Sequence, residues 1–188
     1  MSRIILASQS PRRKQLLKWA EIPFEVKVSE TDETFPPELA PEEIAVHIAR
    51  NKAIAVQESC EQDDIIIAAD TIVVLNDNII GKPVHREDAV SMLLALSGEE
   101  HRVITGVVIR KGEKESAFAD VTEVQFYDLT EKEIEFYVDQ YKPYDKAGAY
   151  AIQEWIGVIG IRSISGDFYN VMGLPVSKVV RELRKFIS

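Results

Sequence analysis

One cysteine, Cys60, in a chain of 188 residues excludes an internal disulfide and a thiolate zinc cluster. No apolar run approaches the roughly 20 residues of a spanning helix, so no membrane association is expected. His47, His85 and His101 lack ligand-like spacing and read as structural or surface residues. Also missing are the Gly-x-x-x-x-Gly-Lys-Ser/Thr phosphate loop, Gly-x-Gly-x-x-Gly and the Gly-x-Ser-x-Gly elbow, which removes the common kinase, dehydrogenase and hydrolase signatures. Positive charge is scarce: 22 Lys and Arg face 31 Asp and Glu, a formal net charge of -9. A broad nucleic-acid surface normally carries a basic stripe that releases phosphate counterions. No nucleic-acid partner is therefore expected, and any phosphate binding must be local. The stretch Ile4-Ile5-Leu6-Ala7 is too short for a secretory signal. With the lone cysteine, this leads to the expectation of a cytoplasmic protein.

Hydrophobic residues at 46% and charged residues at 28% are ordinary for a soluble globular chain and argue against disorder. The length suits a single domain spanning 1–188, with room for two lobes. Residues 4–7 read as a short buried strand. Pro11 then stands where a helix begins, with Ser10 as its N-cap and Leu16, Leu17 and Ala20 at helical spacing. An acidic, proline-containing loop over 30–37 precedes a helix over 41–57 with Ile44, Ile48 and Ala55 on one stripe. The apolar run 65–75, broken only by Asp70-Thr71, predicts a strand covered on both faces, and Asn76-Asp77-Asn78 a turn.

A helix over 86–97 is ended by Gly98, and strands over 101–110 and 115–127 form a hairpin through Lys111-Gly112-Glu113. Thr130-Glu131-Lys132-Glu133 is a capping-box pattern opening a helix to about residue 141. Strand-like segments follow at 149–153 and 156–164. A last helix over 175–186 has Val176, Val179, Val180, Leu183 and Ile187 as its apolar stripe. Helices interleave with strands and hairpins are present too, which predicts a mixed α/β sheet with helices packed against it.

The first anomaly is electrostatic. Arg12 and Arg13 occupy the first turn of a helix, where the macrodipole disfavours cations, whereas Glu42 and Glu43 fill the same turn of the next helix as the dipole prefers. A bound anion resolves the conflict, because free N–H groups, the Ser8 and Ser10 hydroxyls and two guanidiniums then converge on phosphate oxygens. Two solvated arginines beside an ordinary cap are the alternative. The second anomaly is Asp70, an ionisable group inside an apolar run, where an unpaired carboxylate is costly to bury. It fits a magnesium ligand or a general base, or else a turn-forming residue.

Asp32 and Glu33 are candidates to complete an oxygen-rich metal site, Asp32 being the better fit to a solvated loop. Lys52 shares the inward stripe of its helix, where a snorkelling stem explains it as well as a cleft does. Lys82, in Gly81-Lys82-Pro83, follows the hairpin that leaves Asp70. In 142–153, turn formers and tyrosines lead to Gln153, whose amide matches the edge of a uracil or thymine ring or stands as a surface residue.

Taken together, Leu6-Ala7-Ser8-Gln9-Ser10-Pro11-Arg12-Arg13, the lysine of Asn51-Lys52-Ala53, Ala69-Asp70-Thr71, Gly81-Lys82-Pro83, Ser97-Gly98, Asp145-Lys146-Ala147-Gly148, Ala151-Ile152-Gln153 and 166–175 resemble, in order, the Maf family of nucleoside triphosphate pyrophosphatases. The resemblance implies an elongated two-lobed Maf/ITPase-like fold with the site in a cleft. It also implies cleavage between the alpha and beta phosphorus atoms with Mg2+ or Mn2+. Asp70 matches the proton acceptor, and Arg12, Thr71 and Gln153 match positions linked to base choice, in a branch similar to enzymes acting on dTTP, UTP and modified uridine triphosphates. On that basis Asp70, Lys52 and Lys82 are the expected catalytic residues. Ser8, Ser10, Arg12, Arg13, Thr71 and Gln153 are the expected substrate contacts, and Glu33 with Asp70 the metal ligands. The implied role is clearing of the nucleotide pool, and a homodimer is a family expectation. The competing reading is a nucleotide-binding regulator of septum formation or cell division with little turnover.

Overall fold

The computed structural model describes residues 2–187. Its sheet has seven strands: β1 (Ile4–Leu6), β2 (Glu25–Val26), β3 (Ile65–Leu75), β4 (Asn78–Ile80), β5 (Glu100–Lys111), β6 (Lys114–Phe126) and β7 (Ile161–Ser165). They run in the order β2, β1, β3, β5, β6, β7, with β4 paired to β3. β1 is parallel to β2 and β3, while β3–β4 and β6–β7 are antiparallel, so the sheet is mixed as the interleaved pattern predicts. Seven helices accompany it: α1 (Pro11–Trp19), α2 (Pro41–Gln57), α3 (Arg86–Leu96), α4 (Glu131–Tyr141), α5 (Trp155–Gly160), α6 (Phe168–Met172) and α7 (Val176–Ile187).

The chain divides into two compact units. The first holds residues up to Thr71, Thr105–Asp120 and everything from Gly173 on; the second holds Ile72–Ile104 and Val121–Met172. In the first unit α2 lies on the sheet through Ala49, Ala53 and Val56, against Ile5, Ala7, Ile66, Ala68 and Val108. Small side chains on that helix face let its backbone approach the strands closely. Gly106 on β5 marks such a close approach, since a Cβ there would stand 2.2 Å from the Ala45 carbonyl carbon. Just before β1 and β3, Arg3 makes a bidentate pair with the buried Asp64, Nε to Oδ1 at 3.0 Å and Nη2 to Oδ2 at 2.7 Å. These hydrogen bonds hold the Asp64 carboxyl below its ordinary range.

In the second unit α3 and α4 are joined by Arg86, whose Nε and Nη2 donate to the two carboxylate oxygens of Asp139 at 2.6 and 2.9 Å. Buried His101, at the start of β5, meets Phe126 and Tyr150 edge-on, with ring centroids 5.1 and 5.5 Å away. Its Nε2 lies 2.6 Å from the Tyr150 hydroxyl, and its Nδ1 has no hydrogen-bond partner among the described residues. Desolvation pushes the imidazole down to about 4. The unfolded ring titrates near about 6.5. The unfolded state therefore takes up the proton first, and the contribution of neutral His101 is fully present above that value and is lost as pH falls toward about 4. The expected NMR result is a His101 ring resonance that stays flat from pH 8 to 5. A midpoint above pH 6 would contradict this burial-driven shift.

Three sequence expectations differ from the structure. The strand-like 149–153 is no strand. Ala147–Ala149 form a single 3-10 turn with Gly148 at φ 69° and Ala149 at φ 59°, and the Ala151 N–H is satisfied by the Tyr137 hydroxyl at 3.2 Å instead of a ladder. The apolar run 156–164 splits into α5 and β7, because a short Ile/Val/Gly run fits either period. A Cβ at Gly157 would lie 1.7 Å from the Ile152 carbonyl oxygen, so glycine permits the tight fold-back there. Finally, Phe186 and not Ile187 completes the buried stripe of α7 with Val179 and Leu183, and Ile187 is exposed. Three short elements received no bounds from the pattern, β2, β4 and α6, all too short for periodicity to register.

Candidate active site

The carboxyl ends of β1 and β3 lie side by side, with Ile4, Ile5 and Leu6 in register with Ile65, Ile66 and Ile67. Ligands of open α/β sheets bind outside such strand ends. β1 leads into Ser8 and then α1, which opens as expected: Pro11 is its first residue, and the Ser10 hydroxyl caps it by accepting from the Arg13 N–H at 3.4 Å. Ser8 Oγ accepts from the Ser10 N–H at 3.2 Å, fixing the turn between strand and helix.

β3 continues past β1 to Asp70 and Thr71, and successive residues of a strand point to opposite faces. Their contacts divide accordingly. Asp70 faces α2, where Lys52 Nζ donates to its Oδ1 at 2.7 Å. The same ammonium stands 2.8 Å from Glu33 Oε1, so two carboxylates converge on one cation. The Asp70 side chain is 14% exposed and that of Lys52 19%, which explains how a carboxylate survives inside an apolar strand: it is paired at once. Glu33 comes from the acidic loop, while neighbouring Asp32 accepts the Thr34 N–H at 2.9 Å within that loop. Among the described residues no group of three or more His, Cys, Asp or Glu gathers to hold a metal ion.

Thr71 faces Arg13. Arg13 donates through Nη2 to Thr71 Oγ1 at 3.0 Å, through Nη1 to Ser8 Oγ at 3.2 Å and through Nε to the Gly173 carbonyl at 2.8 Å. Burial lowers the Arg13 pKa and Arg12 adds to the effect, while Asp70 and Glu33 oppose it. Gly173 has φ 119°, a conformation L side chains rarely adopt, and it is this turn that offers its carbonyl to Arg13. Thr71 Oγ1 also lies 2.9 Å from the hydroxyl of Thr105 on β5. Arg12 stands beside Arg13 in the first turn of α1 and is half-buried.

Lys82 and Gln153 belong to the second unit, and both are exposed. The Gly81 carbonyl next to Lys82 accepts the Gly148 N–H at 3.0 Å, and Glu154 next to Gln153 lies 3.7 Å from Lys146. One loop thus frames both residues. The first unit therefore brings Glu33, Lys52 and Asp70 together in one group and Ser8, Arg13 and Thr71 in another. Thr105 was overlooked from sequence; its only signal is a hydroxyl between buried Ile104 and Val107 on a strand that is otherwise apolar there.

The family described as Maf-like protein matches residues 3–186. Among curated relatives, a "dTTP/UTP pyrophosphatase" of Parabacteroides distasonis is 51% identical over 98% of this chain and 96% of its own length. One of the same name from Cytophaga hutchinsonii is 52% identical over 98% of this chain and 84% of its own. A third, from Bacillus cereus, is 49% identical over 99% and 96%.

Proposed function

The chain belongs to the Maf family, and from that premise we propose that it is a pyrophosphatase converting dTTP or UTP, and modified uridine triphosphates, with water to the nucleoside monophosphate and pyrophosphate. The observation that carries this reading is the convergence of Asp70 and Glu33 on Lys52 at 2.7 and 2.8 Å, beside the strand end where ligands of α/β sheets bind. Asp70 is the residue that takes the proton from the attacking water. Its Lys52 partner holds it in place through the 2.7 Å contact and offsets charge on the triphosphate. Arg12, Ser8 and Ser10 line the turn after β1 as phosphate contacts. The Arg13 guanidinium carries five N–H donors, and Gly173, Ser8 and Thr71 take three of them. The remaining two would serve phosphate oxygens. Lys82 serves the leaving pyrophosphate, and Arg12, Thr71 and Gln153 set the preference for the base.

Two carboxylates on one positive centre suit a hard divalent ion such as Mg2+ or Mn2+, which takes one or two protein carboxylates together with substrate oxygens. Asp70 and Glu33 would hold it, and it would supply charge neutralisation and a more acidic water. The placement is cytoplasmic, in keeping with the single cysteine; no described helix is long and apolar enough to cross a membrane.

The test is pyrophosphate release from a panel of triphosphates, with magnesium or manganese and with chelator. dTTP and UTP are expected to exceed GTP and 7-methyl-GTP in kcat/KM by at least about tenfold, with chelator abolishing release. A purine preference would overturn the base assignment. Absence of release from every triphosphate would overturn the enzyme and favour the regulator of cell division.

A further inference from the structure

Thr105 is fully buried in β5, between Ile104 and Gly106 and beside buried Val107. A hydroxyl at such a place costs free energy unless it is hydrogen-bonded, and valine fills the same volume without that cost. One partner here is Thr71 Oγ1, at 2.9 Å. That oxygen already accepts from Arg13 Nη2 at 3.0 Å, and the Gly173 carbonyl lies 3.5 Å away. A hydroxyl has one proton and two acceptor sites. With Arg13 on one site, the short contact to Thr105 fixes the threonine rotamer, whichever of the two hydroxyls donates. Without it, only the 3.5 Å approach to Gly173 would steer the Thr71 proton. β5 is itself unable to drift at this point, because Gly106 lets α2 lie flush on the strand next to Thr105.

We infer that Thr105 is a positioning residue for base selection: it locks the Thr71 hydroxyl, and through it one branch of the Arg13 guanidinium, in the orientation that favours uracil and thymine nucleotides. The inference rests on the proposed role of Thr71, and the experiment separates the two. kcat and KM for UTP, dTTP and GTP are measured for Thr105→Val, Thr105→Ser, Thr71→Val and the double variant Thr71→Val/Thr105→Val, with thermal melts alongside. Loss of one such hydrogen bond corresponds to roughly a fivefold to tenfold effect.

Thr105→Val is expected to lower the UTP/GTP ratio of kcat/KM by about that factor, chiefly through KM for UTP. Thr105→Ser keeps the hydroxyl and should restore the ratio, which a role in packing alone would not produce. In the Thr71→Val background, Thr105→Val should add nothing, the non-additivity of residues acting as a unit. A changed ratio in Thr71→Val with none in Thr105→Val would overturn the positioning role and leave the Thr71 assignment standing. No change in Thr71→Val would remove that assignment and the inference with it. Additive effects in the double variant would also overturn it. Should Thr105→Val fail to fold, Thr105→Ala is compared with Thr105→Ser by the same ratio.

Discussion

Asp70→Asn is expected to reduce kcat/KM for dTTP and UTP by about 100-fold to 10,000-fold, the range a general base contributes, while leaving the fold intact. Asparagine keeps an oxygen in the place of Oδ1, so Lys52 Nζ retains an acceptor at the site of the 2.7 Å contact, and Glu33 remains at 2.8 Å on its other side. The ammonium is thus not stranded, and the strong destabilisation that follows removal of one partner of a buried pair is avoided. What is lost is the capacity to take up a proton. The check is single-turnover pyrophosphate release together with a thermal melt. Near-normal release would show that Asp70 holds Lys52 and nothing more. Equal loss of activity and of folded protein would show that the site was never tested.

How much of this was legible in sequence depends on whether a residue announces itself locally. The bounds of α2 and β3 fall where Pro41, the Glu42-Glu43 first turn and the apolar run 65–75 place them. Asp70 stood out because an ionisable group in a covered strand demands a partner, and Lys52 answered because a lysine on an inward helical stripe demands one too. The Ser8 to Arg13 turn was legible as an electrostatic conflict. Its resolution was not, since Arg13 meets a carbonyl 160 residues away in sequence, which no local rule can find.

Thr105 was silent for another reason: threonine is favoured in strands on its own account, so a buried one raises no alarm until its neighbour is seen. The failure over 149–164 is one of period. Tyr150, Ala151 and Ile152 are buried with no ladder partner in their own segment, and apolar runs of that length read as strand by default.

Sequence and packing are tightly bound at Gly106, and Gly106→Ala is expected to cost about 3 kcal/mol or more, the upper end of overpacking effects. A Cβ would meet the Ala45 carbonyl carbon at 2.2 Å, the Val46 nitrogen at 2.3 Å and the Ala45 oxygen at 2.4 Å, all backbone atoms inside α2 that cannot rotate aside as a side chain would. Relief requires the helix to lift from β5, which opens the contacts of Ala49 and Ala53 with Ile66, Ala68 and Val108. For a chain of this length the corresponding fall in melting temperature is about 6 to 12 °C.

Gly81→Ala is the comparison, because nothing lies within 4 Å of its added methyl, and a melting temperature within about 2 °C of the parent is expected. Lifting α2 would also carry Lys52 away from Asp70, since the helix that supplies the ammonium is the one displaced. Gly106→Ala should therefore lose turnover at temperatures where it is still folded. Full activity up to its own melting point would mean that α2 can shift along the sheet without disturbing the Lys52–Asp70 pair.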